Sequence, residues 1–302
     1  MRLTILGNNS AIPSHGRNPS AQVVEVKDQL LLLDCGEGTQ MQLIKYGIKR
    51  SKIHHIFISH LHGDHYFGLI GLITSFALLG RTDPLHVYGP AQLGQIINVQ
   101  LDACHAQLPF PLHFFSLSDA GERTRLIETA SFSVTSFPVE HRIPTHGFLI
   151  RAKNPRRKIN PDACSQYEIP RNFYKHLQAG MDFRSESGAI ISNELLTFEG
   201  NKDKTYAYCA DTRYTLSFLN DVLEADVLYH ESTYLDAEVD LANMRYHATA
   251  RQAAELALQA GARQLVLGHY SSRYKDIALF ENEARQIFPH SIASYEGMVI
   301  DI

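Results

Sequence analysis

The sequence predicts an α/β fold built as one large domain. In the first half of the chain, short apolar runs alternate with amphipathic runs, which is the pattern of a sheet covered by helices. The chain has 302 residues, a length that α/β folds commonly reach around one layered core. Hydrophobic residues make up 44% and charged residues 20% of the chain, which excludes disordered, collagen-like and coiled-coil classes. We therefore expect a single domain over residues 1–302.

The predicted elements follow from the apolar pattern and its flanking residues. Short apolar runs predict strands over residues 2–6, 22–26, 29–33, 54–59, 85–88, 112–117, 131–139, 147–151, 204–210, 227–231, 264–268 and 294–300. Amphipathic runs predict helices over residues 38–46, 66–79, 91–104, 249–260 and 276–287. A Gly, Asp or Pro near the start of each of the first three can begin a turn or a helix. The fourth is dense in Ala, Leu, Gln and Glu, which favour helix.

A basic segment over residues 151–184 interrupts this pattern, because its apolar periodicity fades. It holds eight Lys or Arg against three Asp or Glu, so it carries +5 in a chain whose net charge is −4. Such asymmetry indicates an insertion that meets a polyanion, because neutralised phosphates release counterions. A solvated loop is the alternative interpretation.

The chain carries no predicted membrane segment or secretory signal. Its longest apolar run, residues 66–80, is shorter than the ~20 residues that a membrane-spanning helix needs. Residues 1–7 are typical of a strand and lack the apolar region and cleavage site of a signal peptide. Its four cysteines have no CxxC spacing, which disfavours a disulfide framework and a thiolate zinc site. We therefore expect a cytoplasmic protein.

Four side chains that can bind metal lie within residues 59–65, directly after the apolar strand prediction. His60 and His62 alternate and can point the same way from an extended segment, whereas Asp64 and His65 begin the next turn and can face a second ion. Gly63 allows the backbone to bend between the pairs. Imidazole and carboxylate without thiolate suit Zn²⁺ or another divalent transition metal. Without a cation, four such groups would repel one another when charged and be desolvated at a cost when buried.

This HxHxDH pattern is also the signature of the metallo-β-lactamase superfamily. The resemblance implies an αββα four-layer sandwich, with the basic arm inserted and the active site at the edge shared by the two sheets. It also implies three further ligands: His141 after residues 137–140, Asp211 after residues 204–210, and His269 after residues 264–268.

Other segments resemble ribonuclease Z, the tRNA 3′ processing endonuclease in its short form. They are DCGEGTQ at residues 34–40, HLHGDH at 60–65, HEST at 230–233, HAT at 247–249 and GHYSSRY at 268–274. The resemblance covers nearly the whole chain in the family's motif order. HxHxDH indicates only the superfamily, whereas DCGEGTQ, HEST and HYSSRY select ribonuclease Z.

The resemblance implies a zinc-dependent endoribonuclease that cuts precursor tRNA after the discriminator base and leaves a 3′-hydroxyl. It implies two Zn²⁺ per subunit, one held by His60, His62 and His141, the other by Asp64, His65 and His269, and both by Asp211. Two such ions lower the pKa of a shared water and stabilise the attacking and leaving oxygens. Asp64 is the expected base, with His247 as general acid and Glu231 assisting it.

These roles have simpler alternatives. Glu231 can cap the following turn, and His247 can mark the start of the helix after it. We expect Asp34 to orient a ligand histidine and not to bind metal itself.

The resemblance also assigns a role to the basic segment, because ribonuclease Z enzymes project an arm that grips the tRNA elbow across a homodimer. The expected substrate-binding residues are Arg156, Arg157, Lys158, Arg171 and Lys175. The chain departs from the family here, since residues 151–184 hold one glycine and three prolines without a Gly-Pro turn. Ala210 also replaces the glycine that usually precedes the bridging aspartate.

The alternative functions keep the same metal site but differ in the substrate or in whether a reaction takes place. One is a dinuclear metal phosphodiesterase or related hydrolase acting on a small molecule. Another is a metal-stabilised RNA-binding protein without turnover. An oxygen-reducing di-iron role is disfavoured, because those relatives carry Glu at the position of His62. No membrane partner is expected.

Overall fold

The computed structural model describes residues 1–118, 122–154 and 156–302. Its strands, in chain order, are β1 (Arg2–Gly7), β2 (Ala21–Val26), β3 (Gln29–Leu33), β4 (Ile53–Phe57), β5 (Leu85–Pro90), β6 (Leu112–Leu117), β7 (Thr124–Glu128), β8 (Phe132–Val139), β9 (Thr145–Ala152), β10 (Lys158–Ile159), β11 (Phe183–Arg184), β12 (Ile190–Ile191), β13 (Thr197–Phe198), β14 (Lys204–Cys209), β15 (Val227–Glu231), β16 (Leu265–Gly268), β17 (Ser291–Ala293) and β18 (Val299–Asp301). Its α-helices are α1 (Thr39–Lys45), α2 (Gly63–Tyr66), α3 (Leu69–Leu78), α4 (Ala91–Ala103), α5 (Pro161–Gln166), α6 (Tyr174–Gln178), α7 (Asn193–Leu196), α8 (Val239–Arg245), α9 (Ala250–Ala260) and α10 (Ala278–Arg285).

Two seven-stranded sheets form the centre of the molecule. The first has the order β18, β1, β2, β3, β4, β5, β6, and its strands β3 to β6 run parallel. The second has the order β17, β16, β15, β14, β9, β8, β7, and its strands β14 to β17 run parallel. Parallel strands place their carboxyl ends at one edge, where ligands commonly bind in α/β folds.

Apolar side chains sort into layers, as strand alternation requires. In β3, Leu31 and Leu33 face the core between the two sheets. Leu30 and Leu32 belong to the core that includes residues of α1, α3 and α4. A third core lies between the second sheet and helices α9 and α10. The three cores separate four layers and confirm the predicted αββα sandwich. Burial of each leucine contributes about 1.5–3 kcal/mol to the folding of the sandwich.

A small inserted segment, residues 153–203, separates β9 from β14 and contains the predicted basic arm except for Arg151 and Ala152, which end β9. Strand β10 pairs with β13, and β11 pairs with β12. Helices α5, α6 and α7 surround a core of their own, formed by Cys164, Ile169, Leu177 and Leu196. Regular structure is therefore present where the fading periodicity predicted little of it, because very short elements leave no detectable period.

The inserted segment continues past the expected boundary at residue 184. Arg184 pairs with Ile190 across the β11/β12 hairpin, and Lys158 of β10 pairs with Phe198 of β13. Pairing across that boundary means that the segment ends only where β14 begins. Over residues 153–203 it holds eight Lys or Arg and seven Asp or Glu, so its net charge is +1 and not the +5 of residues 151–184.

Several element predictions match closely, and one is wrong. The predicted strands 29–33, 112–117 and 227–231 coincide with β3, β6 and β15. The strand predicted over residues 294–300 is mostly a turn: β17 ends before it at Ala293 and pairs in the second sheet, and only its last two residues belong to β18, which pairs in the first. Between them the chain turns at Gly297, whose φ is +83°. Strand β7 and helix α8 were not predicted.

Among the residues that the structure describes, no helix has both the length and the apolar composition needed to cross a membrane.

Candidate metal centre and active site

Ends of parallel strands carry the candidate site residues. Asp34 directly follows β3, and the histidine motif follows β4. In the second sheet, Asp211 follows β14, Glu231 ends β15 and His269 follows β16. Since the two sheets pack face to face, these ends meet at one shared edge, as the family resemblance implies.

Local geometry of the motif depends on Gly63, the first residue of α2. A Cβ atom built on Gly63 would lie 2.2 Å from the ring of Phe67, closer than van der Waals contact permits. Glycine therefore allows the Phe67 ring to rest on the backbone between His62 and Asp64.

The first group of donor atoms consists of His60, His62, His141 and Asp211. His62 Nδ1 lies 3.1 Å from His60 Nε2 and 3.2 Å from His141 Nε2. Asp211 Oδ2 lies 3.6 Å from His60 Nε2 and 3.9 Å from His141 Nε2. The four side chains converge on one point.

The second group consists of Asp64, His65 and His269. His269 Nε2 lies 3.3 Å from His65 Nε2 and 3.4 Å from Asp64 Oδ2. Asp211 Oδ1 lies 3.2 Å from His65 Nε2 and 3.1 Å from His269 Nε2. Asp211 thus directs one oxygen at each group, which is the arrangement of a bridging carboxylate.

Hydrogen bonds on the outer ring nitrogens turn the inner nitrogens toward the centre. His65 Nδ1 donates to Asp34 at 2.7 Å, and His141 Nδ1 donates to the carbonyl oxygen of Tyr246 at 2.8 Å. His269 Nδ1 lies 2.9 Å from the hydroxyl of Thr233, which itself donates to Glu231 and therefore accepts from the histidine. In each case Nε2 keeps its lone pair for a metal ion.

Asp34 is the most heavily bonded of these supporting groups. It is fully buried and accepts from the amide and hydroxyl of Ser59, from His65, and from the phenol of Tyr208 at 2.6 Å. Its φ of 55° is left-handed, a conformation that costs a non-glycine residue about 1 kcal/mol or more. This geometry supports the expectation that Asp34 orients a ligand histidine.

The donor set fits a divalent metal. Among the described residues, Asp211 Oδ1 is buried and accepts no hydrogen bond of acceptable geometry, an arrangement that is costly unless another partner binds it. The donors are imidazoles and carboxylates, the chemistry of zinc and related ions. Asp211 Oδ1 is therefore an unsatisfied acceptor beside the nitrogen atoms of the donor histidines, which is the environment of a metal ligand.

The charges of the site also favour a cation. Burial lowers the pKa of His60 well below its ordinary value, and the neighbouring His65 adds to this effect, so His60 is neutral and able to bind metal. Burial opposes charge on His65, but Asp211, Asp64 and Asp34 outweigh it and raise the pKa of His65 well above its ordinary value. The three carboxylates around His65 thus create a negative potential that favours binding of a cation.

A second buried pair lies beside the donor groups. His247 Nδ1 donates to Glu231 Oε1 at 2.7 Å. Glu231 also accepts from the amide of Thr212 and from the amide and hydroxyl of Thr233. Burial lowers the pKa of His247, but the carboxylate of Glu231 outweighs burial, and the pKa is raised overall. The pair can therefore hold a proton near neutral pH.

The donor groups open into a cavity of about 490 Å³. Its lining includes Asp64, His247 and Arg142, together with the exposed side chains of Ile12 and Phe67. The sequence reasoning missed Arg142, Ile12 and Phe67 as site residues. Two of them had a positional signal, because Arg142 follows His141 and Phe67 follows the HxHxDH motif within two residues.

None of the five basic residues predicted to bind substrate lines this cavity. Arg156, Lys158, Arg171 and Lys175 are exposed on the inserted segment. Arg157 is partly buried, and its Nε donates to Thr197 Oγ1 at 2.6 Å. Arg157 is therefore engaged in a contact within the inserted segment, to Thr197 of β13.

An αββα sandwich with an Asp-bridged cluster of histidines at the shared edge of its sheets defines a hydrolase of the metallo-β-lactamase fold. The solved metallo-beta-lactamase fold protein YhfI from Bacillus subtilis has this fold, with a TM-score of 0.69 at 18% identity over 99% of each chain.

Within this class the chain belongs to the ribonuclease Z family. Ribonuclease Z of Bacteroides fragilis is 40% identical over 301 residues, which are 99% of this chain and 98% of that protein. Ribonuclease Z of Porphyromonas gingivalis is 41% identical over 299 residues, with the same coverage. The crystal structure of human tRNase Z, short form, has a TM-score of 0.72 at 28% identity and covers 100% of this chain and 99% of the human chain. The predicted family and its enzyme class are thereby confirmed, and the family and the His/Asp cluster together define a divalent metal site.

Residues 1–178 match a further family model, described as anti-Pycsar protein Apyc1, so this part of the chain also belongs to that sequence family. The matched part contains the HxHxDH motif and His141 but ends before Asp211, Glu231 and His269. The relatives that cover the whole chain therefore decide in favour of ribonuclease Z.

Proposed function

We propose that this protein removes the 3′ trailer from precursor tRNA by cutting after the discriminator base, leaving a 3′-hydroxyl on the tRNA. The observation that carries the proposal is Asp211, which directs one carboxylate oxygen at each of two donor groups. A site for two metal ions suits an in-line displacement at phosphorus. Membership of the ribonuclease Z family supports precursor tRNA as the substrate.

We assign two Zn²⁺ per subunit to this site. His60, His62 and His141 would hold one ion, Asp64, His65 and His269 the other, and Asp211 both. Bound divalent ions supply Lewis-acid stabilisation of phosphoryl oxygens and make water acidic enough to act as a nucleophile near neutral pH.

Asp64 is the proposed base. The backbone amide of Ala11 donates to Asp64 Oδ2 at 2.7 Å, which holds the carboxylate at the floor of the cavity. Burial opposes ionisation, but His65 and His269 lower the pKa of Asp64 overall. An ionised carboxylate in a fixed position can orient the attacking water and accept its proton.

His247 is the proposed general acid. Glu231 engages its Nδ1, so the opposite nitrogen, Nε2, is left to donate a proton to the leaving 3′-oxygen of the tRNA. The raised pKa of His247, in which Glu231 outweighs burial, keeps that proton in place near neutral pH. Glu231 acts through His247 and does not itself contact the substrate.

The inserted segment is the proposed tRNA-binding arm of a single domain spanning residues 1–302. Exposed Arg156, Lys158, Arg171 and Lys175 can contact phosphates, and Tyr167, which is 40% exposed, can stack on a base. We further propose a homodimer in which the arm of one subunit serves the other, and a cytoplasmic location consistent with free cysteines.

The arm is tested by replacing Arg156 and Lys158 with Ala. We expect a weaker dependence of precursor tRNA cleavage on salt and a higher KM, since two phosphate contacts are lost. Lys49 and Lys52, exposed on the sandwich, provide the matched control pair. Equal KM values for both double variants would contradict a role for the arm.

The function itself is tested with a precursor tRNA that carries a 3′ trailer. Wild type is compared with His65→Ala after both proteins are analysed for bound metal. We expect cleavage at the discriminator by wild type, and loss of cleavage together with one metal equivalent in the variant. Full metal occupancy without cleavage would overturn the proposal.

A small-molecule phosphodiesterase is the second candidate. The near-neutral inserted segment favours it, because a net charge of +1 over residues 153–203 provides little non-specific attraction for RNA. Simple aryl phosphodiesters would be cleaved in either case, so they cannot discriminate. Precursor tRNA cleavage decides between the two.

A further inference from the structure

Phe67 is an exposed aromatic side chain beside the donor groups. Its exposed fraction is 64%, the highest of any phenylalanine among the described residues. Exposure of a phenyl ring to this extent loses most of the hydrophobic stabilisation that burial would provide. The proposed mechanism makes no use of it.

Its position is defined by the backbone on which it rests. Three ring atoms, Cε2, Cζ and Cδ2, lie 2.2, 2.5 and 2.7 Å from the point where a Cβ of Gly63 would be. Tyr66 packs edge-on against the ring at a centroid distance of 5.0 Å. The Phe67 amide donates to the Gly63 carbonyl at 3.0 Å. One edge of the ring is therefore anchored while much of its surface faces solvent.

This anchoring places the ring where the two donor groups meet. Gly63 lies between His62, which belongs to the first group, and Asp64, which belongs to the second. Phe67, His62 and Asp64 all line the same cavity. A flat ligand against Phe67 would thus hold its neighbouring phosphate close to both groups.

The rest of the cavity adds apolar surface and one side chain of each charge, Glu37 and Arg142. Ile12, 56% exposed, lines it together with Phe67. Arg142 also lines it, and within the described part of the chain its guanidinium is assigned no ion pair. By contrast, the nearby Arg213 is paired with Glu140. The cavity therefore suits a nucleotide: Phe67 and Ile12 offer apolar surface to a base, and the guanidinium of Arg142 can bind a phosphate.

We propose that Phe67 is a substrate-binding residue that stacks on an unpaired nucleobase next to the scissile phosphate, while Arg142 contacts a flanking phosphate. This inference rests on the proposed function and deepens it, because it requires single-stranded nucleotides at the cut. The base belongs either to the discriminator, on the 5′ side, or to the first trailer nucleotide, on the 3′ side.

The test compares Phe67→Leu with Phe67→Trp on intact precursor tRNA and on precursors that are abasic at either position. Leucine retains an apolar contact with Gly63 but lacks the stacking face. We expect Phe67→Leu to raise KM about 5- to 150-fold on intact precursor, as the loss of one base stack does. Phe67→Trp should restore a KM near that of wild type. On the precursor that lacks the stacked base, wild type and Phe67→Leu should have equal KM values, which identifies the base.

Phe115→Leu is the matched control, because Phe115 is 43% exposed on β6 and lies outside the cavity. Metal content and thermal midpoint should be the same in the Phe67 and Phe115 variants. A KM for Phe67→Leu equal to that of wild type on intact precursor would overturn the inference. So would an equal loss on all three substrates, which would indicate a purely structural role.

A binding measurement separates this inference from the proposed function. A short RNA with 2-aminopurine at the discriminator or first trailer position should lose fluorescence on binding to the metal-loaded protein, and less so with Phe67→Leu. Quenching without cleavage would contradict the endonuclease proposal and support the stacking site. Cleavage with identical quenching by wild type and Phe67→Leu would support the endonuclease proposal and contradict the stacking site.

Discussion

At the scale of single residues, the site depends on groups that accept hydrogen bonds from the ring nitrogens facing away from the metal site. Asp34 accepts four hydrogen bonds while fully buried, and His65 is the donor of one of them. Similar bonds fix His141 and His269. Rigid orientation of imidazoles lowers the entropic cost of binding an ion, so these partners should control metal affinity as strongly as some ligands do.

Replacing Asp34 with Ala should reduce metal affinity about 10- to 100-fold. The reason is that His65 loses the acceptor that sets its tautomer and ring orientation. Competition with a chromogenic chelator measures the affinity directly. Asp28→Ala, at an exposed position, is the control, and equal affinities for the two variants would contradict the role of Asp34.

Replacing Glu231 with Gln should move the alkaline limb of the kcat/KM profile to lower pH. Burial lowers the pKa of His247 and the charge of Glu231 raises it to a larger extent. Removing that charge lets burial prevail, so the acid loses its proton at lower pH. Rate profiles on precursor tRNA measure the shift. Glu224→Gln is the control at an exposed position, and an alkaline limb unchanged in Glu231→Gln would exclude His247 as the acid.

At the scale of elements, β14 and the inserted segment show two ways in which local structure serves the site. Tyr208 of β14 donates to Asp34, and Asp211 just beyond its end faces both donor groups. One strand therefore positions both a supporting group and the bridging carboxylate. The inserted segment, by contrast, has its own small core, so we expect it to lose order without disturbing the sheets.

Replacing Leu177 with Ala should destabilise the inserted segment selectively. Leu177 is fully buried in that core, and such a truncation costs about 2–5 kcal/mol. We expect faster amide exchange within residues 153–203 and a higher KM for precursor tRNA. Hydrolysis of an aryl phosphodiester should be unchanged.

Leu195→Ala is the control in the same segment, because Leu195 is 55% exposed. Equal exchange rates in the two variants would contradict an independent core. Loss of aryl phosphodiesterase activity in Leu177→Ala would show that the segment and the sandwich are coupled.

At the scale of the whole molecule, the site joins the two sheets. Four of its donors, His60, His62, Asp64 and His65, follow β4 of the first sheet. The other three, His141, Asp211 and His269, follow strands of the second sheet. The hydrogen bond from Tyr208 to Asp34 also crosses from one sheet to the other. An ion held by both sheets binds only the folded sandwich and must stabilise it.

Removing metal with a chelator should therefore lower the thermal midpoint, and restoring zinc should raise it again. An ion present at 1,000 times its Kd contributes about 4 kcal/mol. Differential scanning calorimetry measures the change. Asp211→Ala should respond far less to added zinc, and a wild-type midpoint independent of metal would contradict a site shared between the sheets.

Much of the fold and of the metal cluster was accessible from the sequence. Apolar runs such as residues 29–33 and 227–231 became strands because burial on both faces needs continuous apolar sequence. The HxHxDH spacing indicated metal chemistry directly. His141, Asp211 and His269 required the family resemblance, because residues so far apart in the chain have no spacing rule that joins them.

Other features depended on tertiary structure alone. The single strand predicted over residues 294–300 is a turn between β17 and β18, which pair in different sheets, since the packing of the sandwich decides which strands pair. The inserted segment ends beyond residue 184 because its hairpin closes there. Phe67, Ile12 and Arg142 acquired a place at the site only when folding enclosed a cavity between them.

The sequence by itself determined the α/β class, the layered alternation and the metal-binding character of the protein, because these follow from periodicity and side-chain chemistry within short segments. Only the tertiary structure decided that Asp211 faces both donor groups, that Asp34 holds His65, and that an exposed ring stands beside them. Those relations join residues from different strands, and their distances are set by how the two sheets pack.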